Sequence, residues 1–168
     1  MKQRIVVMGV AGCGKSTIGI ELARFLSLPF LEGDHFHPKA NVEWMAQGRP
    51  LNDDMRRPWL DRIAEQIKAA PDGGIVVSCS ALKRSYRDRL RTAGDVVFIH
   101  IAVPRDVLVQ RMTGRDHFMP VSLLDSQLET LEPLAPDEKG VVIDGELPIT
   151  RMIERVVAVL PMSSASIE

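Results

Sequence analysis

The sequence predicts an α/β fold, a parallel five-stranded sheet flanked by helices, on three observations. Short runs rich in Val and Ile recur along the chain, stretches of helical spacing separate them, and the first run ends in a glycine loop that opens a helix. Taken in order, residues 4–8 (RIVVM) read as a strand buried on both faces. Residues 15–28 then place Ile18, Leu22, Phe25 and Leu26 at helical spacing. A brief second strand is expected at 29–32 and a short helix at 39–47. A longer helix is expected at 54–69, with Trp59, Ile63 and Ile67 on one face. The turn signal Pro71-Asp72-Gly73-Gly74 leads into a third strand at 75–79. Strands four and five are expected at 96–102 and 141–143, and helices at 83–91, 105–112, 122–131 and 149–160.

Composition narrows the classes of function. The chain has 168 residues, 45% of them hydrophobic, which suits one domain spanning residues 1–168. A net charge of −1 leaves no basic field to recruit nucleic acid or an anionic membrane. No run approaches the ~20 apolar residues of a spanning helix, so a cytoplasmic protein with no membrane or nucleic-acid partner is the expectation. Cys13 and Cys79 have no C-x-x-C spacing and read as free thiols.

Ligands of parallel sheets gather at the carboxyl ends of the strands. GVAGCGKS follows the first strand, GDHFHP the second and SALKR the third, so three polar segments converge on one edge. The spacing Gly9-x4-Gly14-Lys15-Ser16, between strand and helix, is that of a phosphate loop. Gly9, Val10, Ala11, Gly12, Cys13, Gly14, Lys15, Ser16 and Thr17 would wrap the phosphates of ATP with backbone N–H groups. Lys15 would reach the β- and γ-phosphates, and the Ser16 hydroxyl would ligate Mg²⁺. Cys13 suits a small residue at a variable position better than a redox-sensitive thiol.

No N-K-x-D guanine-reading motif is present, which disfavours a GTP switch, and the chain is short for a motor. A compact small-molecule kinase fits best; a nucleotide-binding regulator without an acceptor is the rival. Asp34, just past the second strand, can accept the proton of an attacking hydroxyl or hold Mg²⁺ through water. His35 and His37 form an H-x-H without a third ligand at fitting spacing, and read as pocket wall or surface rather than zinc ligands.

With the phosphate loop before them, three segments carry a family resemblance: LEGDHFHPKANVEWMAQGRPLNDDMRRPWL (31–60), VVSCSALKRSYRDRLR (76–91) and GRDHFMPVSLLDSQLETLEPL (114–134). Together they closely resemble the gluconokinases of the shikimate-kinase-like type, over almost the whole chain. The resemblance implies transfer of the ATP γ-phosphate to the 6-hydroxyl of D-gluconate, a nucleoside-monophosphate-kinase-like three-layer fold, Mg²⁺ dependence and a homodimer. Met55 stands where the family often has a third acid, and Asp116 where it usually has glycine.

An anionic polyol acceptor requires a cation for its carboxylate and hydrogen-bonding groups for its hydroxyls. Arg57 is the favoured carboxylate partner among several arginines, with Asp53 beside it and Lys83 and Arg87 near the acceptor or the transferred phosphate. His37 belongs to the acceptor wall, and Gln127 and Glu129 follow the lid toward the acceptor. The lid is expected at about 111–121 (RMTGRDHFMPV). Resemblance to related kinases turns Arg111 toward the adenine and Arg115 toward the phosphates. Arg89 and Arg91 read as a solvated helix face, Trp44 and Trp59 as core, and His100 as a satisfied sheet residue.

Overall fold

A computed structural model describes residues 2–113 and 120–161 of the chain. Strands β1 (Gln3–Met8), β2 (Phe30–Glu32), β3 (Gly74–Ser78), β4 (Val96–Ala102) and β5 (Gly140–Asp144) form a sheet in the order β2-β3-β1-β4-β5, parallel at every pairing. Around it lie α1 (Lys15–Leu26), α2 (Lys39–Ala46), α3 (Asp53–Lys68), α4 (Arg84–Arg91), α5 (Arg105–Thr113), α6 (Ser122–Thr130) and α7 (Ile149–Val159). Each expected strand and helix is present, with ends moved by a residue or two.

The shifts have local causes. Ladder pairing recruits Gly74, which reads in sequence as turn, opposite Gln3, and extends β5 to Gly140 opposite Phe98. Helix α1 stops at Leu26 because Ser27 turns into the left-handed region (φ 55°), and the Leu28 N–H closes back on the Ala23 carbonyl at 2.8 Å. A 3-10 turn at Gly33–Phe36 was not expected from the sequence; the Trp59 indole N–H of α3 pins it by donating to the Gly33 carbonyl at 2.8 Å.

The inner strands β1, β3 and β4 are almost wholly buried, which is why their sequences read as unbroken apolar runs. At the edge, β5 exposes Val142 and buries Ile143. Val6, Val76, Phe98 and Ile99 of the sheet are sealed together with Leu22 of α1 and Ile63 of α3, each such side chain contributing roughly 1.5–3 kcal/mol. Registers level the carboxyl ends: Val7 lies opposite Ser78, Glu32 opposite Ser78, and Met8 opposite His100. The loops after β1, β2 and β3 therefore leave the same edge.

Candidate active site

Gly9 leaves β1 at φ 145°, and a Cβ there would meet the Cys13 Sγ at 2.7 Å and the Ile101 carbonyl at 2.9 Å. Cys13 is buried against this glycine, so a small side chain is needed at that place in the loop. Gly14, also left-handed (φ 97°), precedes α1 with no side-chain cap, leaving the first-turn N–H groups of the helix turned into the loop. The Lys15 Nζ donates to the Val10 carbonyl at 3.0 Å, and the Ala11 N–H donates to the Gln127 Oε1 at 2.8 Å. Gln127 of α6 thus braces the phosphate loop as well as bordering the cleft beside it.

Glu32, at the end of β2, was missed in the sequence because it reads as the last residue of a short strand. Its carboxylate accepts from the Ser16 hydroxyl and, at 2.5 Å, from the Ser78 hydroxyl, placing an acid directly beside the loop's serine. The next residue must be glycine: a Cβ on Gly33 would lie 2.0 Å from the Ser78 carbonyl oxygen. That close approach seats the 3-10 turn against β3 and presents Asp34 to the cleft.

The cleft has a volume of about 230 Å³ and brings Lys15, Ser16 and Thr17 together with Asp34, His37 and Arg56 over an apolar floor that includes Met45, Leu51 and Trp59. Trp59 is both core and cleft, because the His37 ring stacks on it at 4.0 Å and 15° between planes. Burial, with the Arg56 guanidinium second, lowers the His37 pKa to about 4 and keeps the ring neutral. The Asn41 side-chain nitrogen lies 3.3 Å from the His37 Nδ1 and donates to the Met55 carbonyl at 2.9 Å.

Two expectations on the acceptor side are corrected. Arg56, only 8% exposed, borders the cleft where Arg57 was expected; Arg57 is on the surface, 3.0 Å from Asp54. Successive helical residues diverge by about 100°, and position 56 shares the buried face of Trp59, Leu60 and Ile63 while 57 does not. Arg87 is not at the acceptor: its side chain is fully buried, its Nε donating to the Glu138 carboxylate at 2.7 Å and its Nη1 to the Ala81 carbonyl at 2.9 Å. It is a structural cation tying α4 to the loop before β5.

Asp53 and Lys83 bear on the cleft through a neighbour. The Arg56 Nη1 donates to the Tyr86 hydroxyl at 3.0 Å, the Tyr86 hydroxyl donates to Asp53, and the Lys83 Nζ donates to the same Asp53 oxygen at 3.1 Å. Hydrogen bonds from Tyr86 and Lys83 hold the Asp53 carboxyl below the usual range. Arg89 pairs with Asp61 at 2.5 Å, and Arg91 with Asp88 at 2.6 Å and with Glu138.

On the other side of the loop a second cavity, about 240 Å³, lies among Gly14, Thr17, Arg111, Gly145, Leu147 and Met152. The Arg111 guanidinium donates to the Cys13 carbonyl at 3.3 Å and to the Gly145 carbonyl at 3.1 Å. Arg115, and with it residues 114–119 of the expected lid, lies outside the described residues. Cys79 is buried and its thiol is pushed up to about 12, chiefly by desolvation, which closes a nucleophilic role. His100 departs from expectation: its Nδ1 is buried with no hydrogen-bond partner among the described residues. No helix among the described residues is long and apolar enough to cross a membrane.

A phosphate loop after β1 of a five-stranded parallel sheet, facing a small polar cleft across the same edge, defines a P-loop kinase of small molecules. The shikimate kinase family profile matches residues 11–139. A gluconokinase of Gluconobacter oxydans is 49% identical over 150 residues, 84% of this chain and 82% of that protein. The thermoresistant gluconokinase of Escherichia coli is 39% identical over 160 residues, 92% of this chain and 91% of its own. The crystal structure of a gluconokinase from Sinorhizobium meliloti superposes with a TM-score of 0.84 at 44% identity, covering 94% of this chain and 90% of that one. The chain belongs to the gluconokinases of the shikimate-kinase-like family.

Proposed function

We propose that this chain is an ATP:D-gluconate 6-phosphotransferase, producing 6-phospho-D-gluconate and ADP. One observation carries the reading: in a chain nearly half identical to a gluconokinase, the cleft joins the phosphate loop to a half-buried carboxylate, Asp34, a neutral imidazole, His37, and a buried guanidinium, Arg56. This set suits an acid with a hydroxylated chain.

The donor half rests on the loop. Backbone N–H groups of residues 9–17 and the start of α1 receive the phosphates, Lys15 meets the charge on the γ-phosphoryl group, and the cavity beside Arg111 takes the nucleoside. Ser16 with Glu32 beside it is a hard-oxygen set that fits Mg²⁺, and these residues would hold the ion. When bound, Mg²⁺ neutralises charge on the β- and γ-phosphate oxygens.

On the acceptor half, Arg56 pairs with the gluconate carboxylate and His37 bonds a hydroxyl of the chain. The 6-hydroxyl oxygen then attacks the γ-phosphorus in line. The new O–P bond forms as the bond to the bridging β,γ-oxygen breaks; the hydroxyl proton passes to Asp34 and the electron pair leaves with ADP. Arg115 keeps the role that the family resemblance gives it, a cation for the charge of the transferred group. The enzyme works as a homodimer, a feature carried by the family resemblance.

The test is ADP release measured against gluconate, other sugar acids, shikimate and nucleoside monophosphates. Gluconate-dependent release is expected. Turnover of another acceptor with gluconate inert replaces the substrate, and ATP binding without any acceptor-dependent release returns the chain to a regulatory role. Sedimentation of the protein checks the dimer.

A further inference from the structure

Asn41 and His37 stand four residues apart, Asn41 on α2 and His37 just before it, and their contact fixes more than position. A carbonyl oxygen only accepts, so the Asn41 amide must turn its nitrogen, not its oxygen, to the Met55 carbonyl 2.9 Å away. The same nitrogen lies 3.3 Å from the His37 Nδ1. An amide NH₂ has two hydrogens to give and no lone pair to offer, so the His37 Nδ1 must be the acceptor. Stacking on Trp59 holds the imidazole plane. Asn41 is 4% exposed, so water does not compete for its second hydrogen.

We infer that Asn41 is a positioning residue that locks His37 as the Nε2–H tautomer, making the imidazole a fixed hydrogen-bond donor to an oxygen of the phosphoryl acceptor. His37 borders the cleft, and its contact with Asn41 engages the Nδ1 rather than the Nε2. The lowered pKa of the ring agrees, since a neutral ring has one proton to place. A consequence follows for the chemistry. An imidazole protonated on Nε2 and engaged at Nδ1 has no free lone pair, so it does not take the acceptor's proton and that task falls to Asp34. The inference rests on the kinase reading for the acceptor, but the tautomer itself does not.

The experiment is two-dimensional ¹H–¹⁵N spectroscopy of the full chain labelled at its four histidines, with the His37 signals assigned by their loss in His37→Gln. The wild type is expected to show, from pH 6 to 8, an unprotonated Nδ1 and a protonated Nε2 at His37. In Asn41→Ala the two nitrogens should move toward averaged shifts, and KM for gluconate should rise about three- to tenfold, the loss of an ordered hydrogen bond, with KM for ATP unchanged. Asn41→Asp, which accepts but does not donate, should draw the proton to Nδ1. A wild-type His37 that is averaged, Nδ1-protonated or imidazolium at pH 7 overturns the inference even if neither variant folds. Shifts as expected with KM for gluconate unchanged in Asn41→Ala overturn the positioning role. Gluconate inert in the wild type, with Nε2–H present, overturns the acceptor proposed above and upholds the locked tautomer.

Discussion

Arg56 reaches the cleft with its guanidinium held by Tyr86: the Nη1 donates to the phenol oxygen at 3.0 Å, and the guanidinium carbon lies 5.3 Å from the ring centroid. The phenol is held in turn, since its hydrogen goes to Asp53, where Lys83 also donates. A buried arginine with several rotatable bonds would otherwise lose conformational freedom when it met a carboxylate. Ordered in advance, it loses less.

Replacing Tyr86 with Phe keeps the aromatic face and removes the bridge between Arg56 and Asp53. The expected outcome is a rise in KM for gluconate of about three- to tenfold, the size of one net hydrogen bond, with kcat and KM for ATP little changed. Steady-state kinetics with each substrate varied in turn checks it. An equal rise in both KM values points to a general disturbance of the fold rather than to Arg56.

Asp34 sits on the 3-10 turn that Gly33 seats against β3, facing the same cleft as Lys15. Asp34→Asn preserves shape and removes the proton acceptor, so kcat should fall by about 10²–10⁴-fold while the Kd for ATP stays near that of the wild type. Rapid-quench turnover together with equilibrium nucleotide binding separates the two quantities. Near-normal turnover in this variant excludes Asp34 as the base.

What was readable in the sequence divides by the range of the interactions. The phosphate loop is local: Gly9, Gly14, Lys15 and Ser16 act within one strand–loop–helix unit, and their spacing alone specifies it. Asp34 was legible because strand ends in a parallel sheet share an edge. The exchange of Arg57 for Arg56 was avoidable, since position 56 falls three, four and seven residues before Trp59, Leu60 and Ile63 on the buried face of α3. Arg87 shares a side of α4 with the buried Leu90, but its partner Glu138 lies 51 residues away in a loop no periodicity describes. The Asn41–Met55 bond likewise joins two helices whose approach only the folded chain sets.

The Arg87–Glu138 pair should announce itself in stability rather than in catalysis. Burial alone would raise the Glu138 pKa, but hydrogen bonds from Arg87, the Ala135 N–H and Arg91 outweigh it and bring the carboxyl down to about 2. Removing Arg87 leaves the buried Glu138 carboxylate with only Arg91 and the Ala135 N–H to offset its charge, so Arg87→Met should cost up to about 3–5 kcal/mol in urea unfolding. The surviving folded enzyme should keep a wild-type KM for gluconate, and a large KM increase without a stability loss would return Arg87 to the acceptor. The depressed pKa also sets a pH window. The unfolded carboxyl titrates near 4.5 and the folded one near 2, so this contribution is complete above the first value and is lost as pH falls from about 4.5 toward 2.

His37 gives a second window, higher on the pH scale and for the opposite reason. Its shift comes first from desolvation and then from the Arg56 charge, both of which disfavour imidazolium, so the folded value is about 4 against an ordinary 6.5. Below pH 6.5 the unfolded chain binds a proton at this residue that the folded chain refuses, and stability must fall as pH descends from 6.5 to about 4. His37→Gln removes the titrating group, so its unfolding free energy should decline less steeply than that of the wild type across that interval. A residual slope is expected from His100, whose pKa is also lowered, by burial and then by Arg87 and Lys15. Urea titrations at half-unit steps of pH measure the two slopes. Over the same range KM for gluconate in the wild type should show no inflection near 6.5, because the ring against Trp59 is already neutral there; parallel slopes together with such an inflection would mean that His37 titrates as an ordinary surface histidine.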